Sequence, residues 1–218
     1  MKRSATVAIA VAGLAVALTA CDGSGRDKPV VASGIVSSTT AAPPTTTTAP
    51  KIAASYDDLS RAIITAVPAS YVVQPNDVGD TGPSDLAKAA RDDGSADARA
   101  VLTQDHFVRG YQRLWAKPDS EQVVAFLYQF TDHAGAVDYG ARSLADAAKS
   151  DPSLTMTPFD VPGIDGATGV TVHAATFTSS SVMFAKGPYL VQMLVNGPTA
   201  TGQSDMVRTL AADQFARL

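Results

Sequence analysis

The stretch Gln122-Val123-Val124-Ala125-Phe126-Leu127-Tyr128-Gln129-Phe130 decides the fold class. Successive residues of a β-strand point to opposite faces of the sheet, and both alternate sets of this stretch are apolar. The even-numbered set is Val124, Phe126, Tyr128 and Phe130, and the odd-numbered set includes Val123, Ala125 and Leu127. A strand that is apolar on both faces is typical of the middle of a sheet. Gln122–Phe130 is therefore predicted to be a central strand.

The segments on either side predict an antiparallel sheet with a helix after it. Gly110–Ala116 is a second strand candidate, and Lys117–Ser120 has the composition of a turn. Consecutive strands with a short turn between them pair antiparallel, so these two should form a hairpin. Asp132 is expected to cap a helix that runs to about Lys149 and carries an apolar stripe.

The C-terminal third shows a similar order of elements. The strand candidates are Thr155–Asp160, Gly169–Thr176, Ser181–Ala185 and Tyr189–Val195, and the final helix candidate is Gln203–Arg217. A shift of 66 residues aligns Val124 with Leu190 and places Arg142 on Arg208, so a duplicated β-β-α unit is one hypothesis. Helices packed on one face of an antiparallel sheet make an α+β domain, which is the predicted fold class.

The folded domain is predicted to span residues 56–218 as a single unit and to open with a helix. Ser55 has N-cap chemistry, and two acidic residues follow it in the first turn. Apolar residues at helical spacing continue to Val67, and Pro68 is expected to end the helix.

The N-terminal leader has the pattern of a secretory signal peptide. Lys2 and Arg3 precede an apolar run from Thr6 to Leu18, which is shorter than the roughly 20 residues that a membrane-spanning helix needs. Cys21, the one cysteine of the chain, follows almost directly. An ordinary secretory signal with a chance cysteine is the alternative. A cysteine in this place cannot belong to a core, however, and it has no intrachain disulfide partner.

The residues Leu18-Thr19-Ala20-Cys21 resemble the lipobox of bacterial lipoproteins. The resemblance implies that the Cys21 thiol receives a diacylglyceryl group and that a peptidase cuts between Ala20 and Cys21, which removes residues 1–20. Two acyl chains anchor a protein stably, at about 0.8 kcal/mol for each buried CH₂. Cleavage takes the formal charge from −4 to −6, because Lys2 and Arg3 leave with the leader. The lipid on Cys21 is therefore expected to hold the chain at the extracytoplasmic face of the cell membrane.

Residues 21–55 are predicted to be a disordered tether. Threonine, proline and alanine dominate this segment, which shows no helical or strand period and has few large apolar side chains to offset the entropy of ordering. A flexible chain of this length has an end-to-end distance of roughly 30 Å. The sequence leaves open whether the Thr/Pro tract carries O-linked sugar.

The common catalytic and cofactor motifs are absent from the sequence. There is no Gly-x-Ser-x-Gly elbow, no His-Glu-x-x-His, no phosphate loop and no Gly-x-Gly-x-x-Gly. No basic stripe is interleaved with aromatic residues, so nucleic acid is not an expected partner. With Cys21 assigned to lipid, no thiol is left for catalysis or metal binding. We therefore expect no enzyme activity, no cofactor and no bound metal.

The histidines have two readings. His106, His133 and His173 are best interpreted as surface or capping groups. The alternative is a pocket that gathers two of them with Asp105 or Asp132, as in a hydrolase whose triad is scattered along the chain.

Two further groups of residues have a structural and a functional reading. Asp92-Asp93-Gly94 with Asp97 lacks the ligand spacing of a calcium loop and is interpreted as a solvated turn. Tyr111, Trp115 and Tyr128 could line a ligand pocket. Aromatic residues on strand faces more often belong to the core, which is the reading we favour.

The body of the chain resembles secreted lipoproteins of actinobacteria of the mycobacterial type, most of which have no assigned activity. The run His106-Phe107-Val108-Arg109-Gly110-Tyr111-Gln112-Arg113-Leu114-Trp115 is similar to a recurring Gly-Phe-x-x-Gly-Tyr-x-Arg-x-Trp pattern, with His106 where glycine is usual. Phe159–Gly163 and Ala185–Tyr189 also match. These motifs have a structural character and carry over no catalytic residue.

Three hypotheses for function follow from the sequence. The first is a lipid-anchored extracytoplasmic domain, binding or sensor-like, whose partner is an unknown protein or a small apolar ligand. The second is a carrier of lipid or another apolar molecule, which would need a cavity of several hundred Å³ lined by aliphatic side chains. The third is a hydrolase with an unrecognised triad.

Overall fold

The computed structural model describes residues 51–76, 78–79, 81–118, 121–150, 154–174, 176–198 and 202–218, with 147–150 as backbone only. The predicted signal peptide, Cys21 and residues 21–50 of the predicted tether lie outside the described residues.

Helices and strands occupy most of the described chain. The helices are α1 (Tyr56–Ala62), α2 (Leu86–Asp93), α3 (Ala98–Gln104), α4 (His133–Ser150) and α5 (Gln203–Arg217). The strands are β1 (Val72–Val73), β2 (Gly82–Ser84), β3 (Phe107–Ala116), β4 (Gln122–Phe130), β5 (Thr155–Phe159), β6 (Thr168–His173), β7 (Thr178–Lys186) and β8 (Tyr189–Gly197).

All the described strands form one open antiparallel sheet. Its order is β1-β3-β4-β8-β7-β6-β5, and β2 also pairs with β3. The central position predicted for β4 is confirmed, because β4 lies between β3 and β8 and Tyr128 pairs with Leu190. The predicted hairpin of β3 and β4 is also present, with Arg113 opposite Ala125. The α+β class and the antiparallel pairing are confirmed.

Helices pack on both faces of this sheet, and not on one face as the sequence suggested. The first face carries α1 and α5 and buries the odd-numbered residues of β4, among them Leu127. The second face carries α2, α3 and α4 and buries Tyr128 and Phe130. The two apolar sets of β4 explain this, since each needs a separate helical layer to exclude water.

The hypothesis of a duplicated β-β-α unit is not supported. The β3–β4 and β7–β8 hairpins lie side by side, so a rotation axis normal to the sheet could relate them. That rotation would leave both following helices on one face. Instead Tyr139 of α4 belongs to the core of the second face and Leu210 of α5 to that of the first. The two units therefore differ in hand and cannot be superposed.

The motif Gly110-Tyr111-x-Arg113-x-Trp115 has structural roles. A Cβ on Gly110 would lie 2.5 Å from Cδ1 of Tyr128, so only glycine allows that ring to cross the strand. The Tyr111 hydroxyl donates to Asn76 at 3.1 Å, and Trp115 is buried in the core of the first face. The structural reading of Tyr111, Trp115 and Tyr128 as core residues is confirmed.

The other two resembling segments form turns. Lys186 pairs with Tyr189 across the two-residue connection Gly187-Pro188, in which Gly187 has φ 55°. Glycine at the first central position is the requirement of a type II′ hairpin turn. Phe159 ends β5, and Gly163 follows in a turn with φ 82°.

Helix α1 is shorter than predicted. It has the expected Ser55 cap but ends at Ala62, because Ile63 is extended (ψ 146°). Side chains from other elements donate hydrogen bonds to the carbonyls of its last turn and of the residues that follow it. Arg113 donates to Ile64 at 2.7 Å, and Gln214 donates to Ala62 at 3.1 Å. These long-range bonds stop the helix before Pro68, and no local sequence signal encodes them.

His106 occupies the position just after α3 and has φ 60°, in the left-handed region. Its carbonyl accepts from the Thr131 amide at 3.1 Å, which fixes this backbone position beside the end of β4. Glycine adopts such a conformation at little cost, whereas other residues are penalised. The sequence pattern that has glycine here therefore has a conformational cause.

We expect His106→Gly to stabilise the domain by about 0.5–1 kcal/mol, because it removes the left-handed penalty and loses no side-chain hydrogen bond that the described residues show. Chemical unfolding monitored by circular dichroism measures the change. His106→Ala is the control and should not stabilise, since alanine keeps the Cβ. Equal stability of the glycine and alanine variants would contradict this reading.

Candidate functional site

The described chain opens with residues 51–55, here called the fastened segment, which side chains hold against the sheet. The hydroxyl of Tyr189, on β8, accepts from the Ala53 amide at 2.6 Å and donates to the Lys51 carbonyl at 2.7 Å. Tyr189 and Ala53 are both buried. Burial raises the pKa of Tyr189, which keeps the hydroxyl neutral and able to donate.

Two neighbouring strands add one side chain each. Gln129 of β4 donates from Nε2 to the Ala53 carbonyl at 3.1 Å. Arg109 of β3 donates from Nη1 to the Ala54 carbonyl at 2.6 Å. Because β3, β4 and β8 are adjacent, the fastened segment is tied to three consecutive strands near the middle of the sheet.

The start of α1 holds the other side of the fastened segment. Asp58 accepts through Oδ2 from the amides of Ala54 at 3.0 Å and Ser55 at 3.1 Å, and Ser55 accepts from the Asp58 amide at 3.2 Å. This reciprocal arrangement is a capping box. The Ala54 amide, then the Ser55 hydroxyl and Arg61, lower the pKa of Asp58. Residues 51–55 were assigned to the tether from composition, but in the structure they are held against the sheet. The strand side chains that hold them lie more than 50 residues away, so no local sequence signal indicated these contacts.

A half-open cleft of about 230 Å³ lies beside the fastened segment. It is lined by Lys51, Ile52, Ala53, Asp58, Arg61, Ala62, Tyr189, Arg217 and Leu218. Polar and apolar atoms contribute to the wall in similar measure. This cleft has neither the size nor the aliphatic lining expected for a lipid carrier.

Basic side chains outnumber acidic side chains in the lining of this cleft, since Lys51, Arg61 and Arg217 share it with Asp58 alone. Arg217 donates from Nε and Nη2 to the Arg61 carbonyl, at 3.1 and 2.7 Å. Arg113 and Arg109 also donate to backbone carbonyls, those of Ile64 and the fastened segment. Within the described part of the chain, these three guanidinium groups form hydrogen bonds to carbonyls and no ion pair. Burial lowers the pKa of Arg113, and the charge of Arg217 adds to that effect.

Comparison with known proteins gives a family. The family model described as "Domain of unknown function (DUF7373) N-terminal" matches residues 62–218. The chain belongs to this family. The match begins at the last residue of α1, so it contains the sheet, α5 and Tyr189, and it excludes the fastened segment.

One solved structure with detectable similarity is the extracellular domain of PknH from Mycobacterium tuberculosis. It superposes with a TM-score of 0.46 at 12% identity, over 75% of this chain and 97% of that chain. This score is too low for a conclusion about shared fold or function. No curated protein matches the chain.

The three histidines do not come together into a site. His133 contacts the Gly187 carbonyl through Nδ1 at 3.0 Å, which ties the start of α4 to the β7–β8 turn. His173 lies opposite Thr178 in the sheet, with Nδ1 3.4 Å from Oγ1. That spacing is longer than a nucleophile–base hydrogen bond, and within the described residues no carboxylate orients this ring. His106 is exposed.

The first two acidic residues of the group Asp92-Asp93-Gly94 with Asp97 end helix α2 and have structural contacts, so they do not lie in a turn. Asp92 pairs with Lys88 at 2.6 Å, and Asp93 accepts from the Tyr139 hydroxyl at 2.7 Å. Gly94 caps α2 with φ 78°. The side chain of Asp92 is only 5% exposed, so "solvated" was wrong for that residue. Among the described residues, no group of three or more His, Cys, Asp or Glu side chains could hold a metal ion.

A buried polar network joins α3 to α4 on the second face. Asp105 is buried and forms an ion pair with Arg142. Burial, and then the charge of Asp93, raise the pKa of Tyr139, so its hydroxyl stays protonated and donates. Each of these groups bridges two helices, which is a structural role. No helix in the described ranges is both long and apolar enough to cross a membrane.

Sequence reasoning missed Tyr189, Gln129, Arg109 and Arg217. Gln129 interrupts the apolar set on the first face of β4, and that polar residue in a central strand was the available signal. Tyr189 and Arg217 have no local signal, since their partners are 138 and 156 residues away.

We expect Tyr189→Phe to destabilise the domain by about 1–3 kcal/mol, because it leaves the Ala53 amide and the Lys51 carbonyl without partners. Hydrogen exchange should show faster exchange at Ala53 than in the parent. Tyr56→Phe is the matched control, since the Tyr56 hydroxyl has no hydrogen bond within the described chain, and it should change neither quantity. Unchanged protection of Ala53 in Tyr189→Phe would refute the fastening role.

A second expectation concerns pH. Because the folded-state pKa of Asp58 lies below its ordinary value of 3.8, its stabilising contribution is complete above about pH 4 and is lost as pH falls further. Asp58→Asn should therefore lower the urea midpoint at pH 7 and lower it much less at pH 3. Exposed Asp57→Asn should lower it at neither pH. An equal loss at both pH values for Asp58→Asn would show that its charge is not involved.

Proposed function

We propose that this protein is a lipid-anchored binding domain at the extracytoplasmic face of the cell membrane. The observation that carries the proposal is the relation between Cys21 and the fastened segment. Cys21 follows an apolar leader, and Lys51, the first residue that the structure describes, is already held to the sheet by Tyr189. The fastened segment would therefore connect an anchor at Cys21 firmly to the folded domain.

The lipid on Cys21 supplies the anchor in this proposal. Loss of residues 1–20 leaves a domain of negative net charge, which is repelled by anionic membrane surfaces as a whole. Two acyl chains provide enough binding free energy without help from charge. The intervening residues 22–50 give the domain a reach on the order of 30 Å from the bilayer.

Binding, in a sensor-like role, is favoured over catalysis and over lipid carriage by the chemistry of the described surface. Each histidine lies apart from a nucleophile–acid arrangement, and the cleft at the fastened segment is polar and half open. Side chains such as Leu127, Met193 and Tyr128 are buried in the cores on the two faces of the sheet. A partner would therefore meet this domain at its surface.

Replacement of Cys21 by serine tests the anchor. We expect the parent to fractionate with membranes and to carry a diacylglyceryl mass increment, and Cys21→Ser to be released into the soluble fraction without it. Thr19→Ser, which keeps a small residue in the lipobox, is the control and should behave as the parent. Membrane association and mass that are identical in Cys21→Ser and parent would refute the proposal.

A further inference from the structure

The charge distribution around the cleft is unusual for an acidic protein. Lys51, Arg61 and Arg217 line it, and Arg109 and Arg113 lie close behind them on β3. The one acidic side chain in the lining is that of Asp58. Positive charge therefore exceeds negative charge locally, although the formal charge of the whole chain is −4.

The single carboxylate side chain in the cleft already accepts hydrogen bonds through both of its oxygens. Asp58 accepts through Oδ1 from Arg61 at 2.5 Å, and through Oδ2 from the Ala54 and Ser55 amides and the Ser55 hydroxyl. Within the described residues it forms its ion pair with Arg61 and none with Lys51 or Arg217. A second anion would have to come from outside this group of residues.

Three cations of the lining are placed to receive such an anion. Arg217 uses Nε and Nη2 on one carbonyl, which fixes the guanidinium plane and leaves Nη1 without a partner in the described chain. Lys51 lines the cleft and is held through its backbone carbonyl, and its ammonium group forms no ion pair within the described residues. Arg61 is 69% exposed at its side chain and keeps unused donors. A guanidinium held by hydrogen bonds beside two exposed cations suits the non-bridging oxygens of a phosphate group.

The apolar part of the wall indicates what carries that phosphate. Ile52 is 63% exposed beside Lys51, and Ala62 and Leu218 complete the lining. Apolar surface beside a phosphate-sized cationic site fits an amphipathic ligand. The lining also includes Lys51, the described residue nearest in sequence to Cys21, where the proposed function places the lipid.

We propose that this cleft binds a phosphate group, with Arg217, Lys51 and Arg61 in direct contact, and that a phospholipid headgroup is one source of it. The choice of a lipid source rests on the proposed function, whereas the phosphate site itself does not. Arg109 and Arg113 raise the local potential through charge and make no contact with the ligand.

Inorganic phosphate is the first probe. The chain from residue 21 onward with Cys21→Ser is titrated with phosphate at constant ionic strength, and binding is followed by amide chemical shifts. We expect shifts to be largest in residues 51–62 and 214–218. Lys51→Gln and Arg217→Gln should each weaken binding about three- to tenfold, the loss for one exposed charge contact. Arg99→Gln, an exposed cation on α3 at the opposite face, is the matched control and should change affinity less than twofold.

Vesicles distinguish the sources of the phosphate. The same protein is sedimented with vesicles of phosphatidylglycerol mixed with phosphatidylcholine, and with phosphatidylcholine alone. Binding to the anionic vesicles that Lys51→Gln removes and Arg99→Gln retains would identify the headgroup. Phosphate binding without vesicle binding would assign the site to a soluble phosphate compound. No saturable phosphate shift, or equal loss in Arg99→Gln, would overturn the site. Because this protein carries no lipid, these outcomes are independent of whether Cys21 is acylated.

Discussion

Strand β4 is apolar on both of its faces, and the need to keep both faces dry governs the arrangement of the domain. Each face requires its own layer of helices, so the chain sends α2, α3 and α4 to one side and α1 and α5 to the other. The antiparallel neighbours β3 and β8 then satisfy the backbone of β4 along its length. The short α1 can complete its layer only because Arg113, Gln214 and Arg217 bind its last carbonyls from distant elements.

The polar residues of this layer have two functions. Gln129 and Tyr189 lie among apolar neighbours in the two central strands, and the side chains of both form hydrogen bonds with residues 51–55. Burying such groups is unfavourable unless they form hydrogen bonds. The fastened segment provides partners for the Tyr189 hydroxyl and for Nε2 of Gln129, whereas Oε1 of Gln129 has no partner among the described residues. The guanidinium groups nearby bind neutral carbonyls, so they hold the structure together without losing their charge. Their positive charge therefore remains near the cleft, where the proposed phosphate group would bind.

The sequence was informative where the signal is local and periodic. The bounds of β4 and α5 were predicted correctly, because each is a continuous pattern between clear boundaries. The α+β class followed from the hairpins. The distribution of helices over two faces was missed, although the apolar character of Val123, Ala125 and Leu127 already required a second layer. The cleft could not be predicted, since Lys51 and Arg217 stand at opposite ends of the domain and only the fold brings them together.

The attachment at residues 51–55 also determines how the domain bears a mechanical load. Tension that arrives along the preceding chain meets Tyr189, Gln129 and Arg109 together, and these belong to three adjacent strands in the interior of the sheet. Force is thereby shared among three paired strands in the interior of the sheet and is not concentrated on one outer strand. The outer strands β1 and β5 stay unloaded under this arrangement.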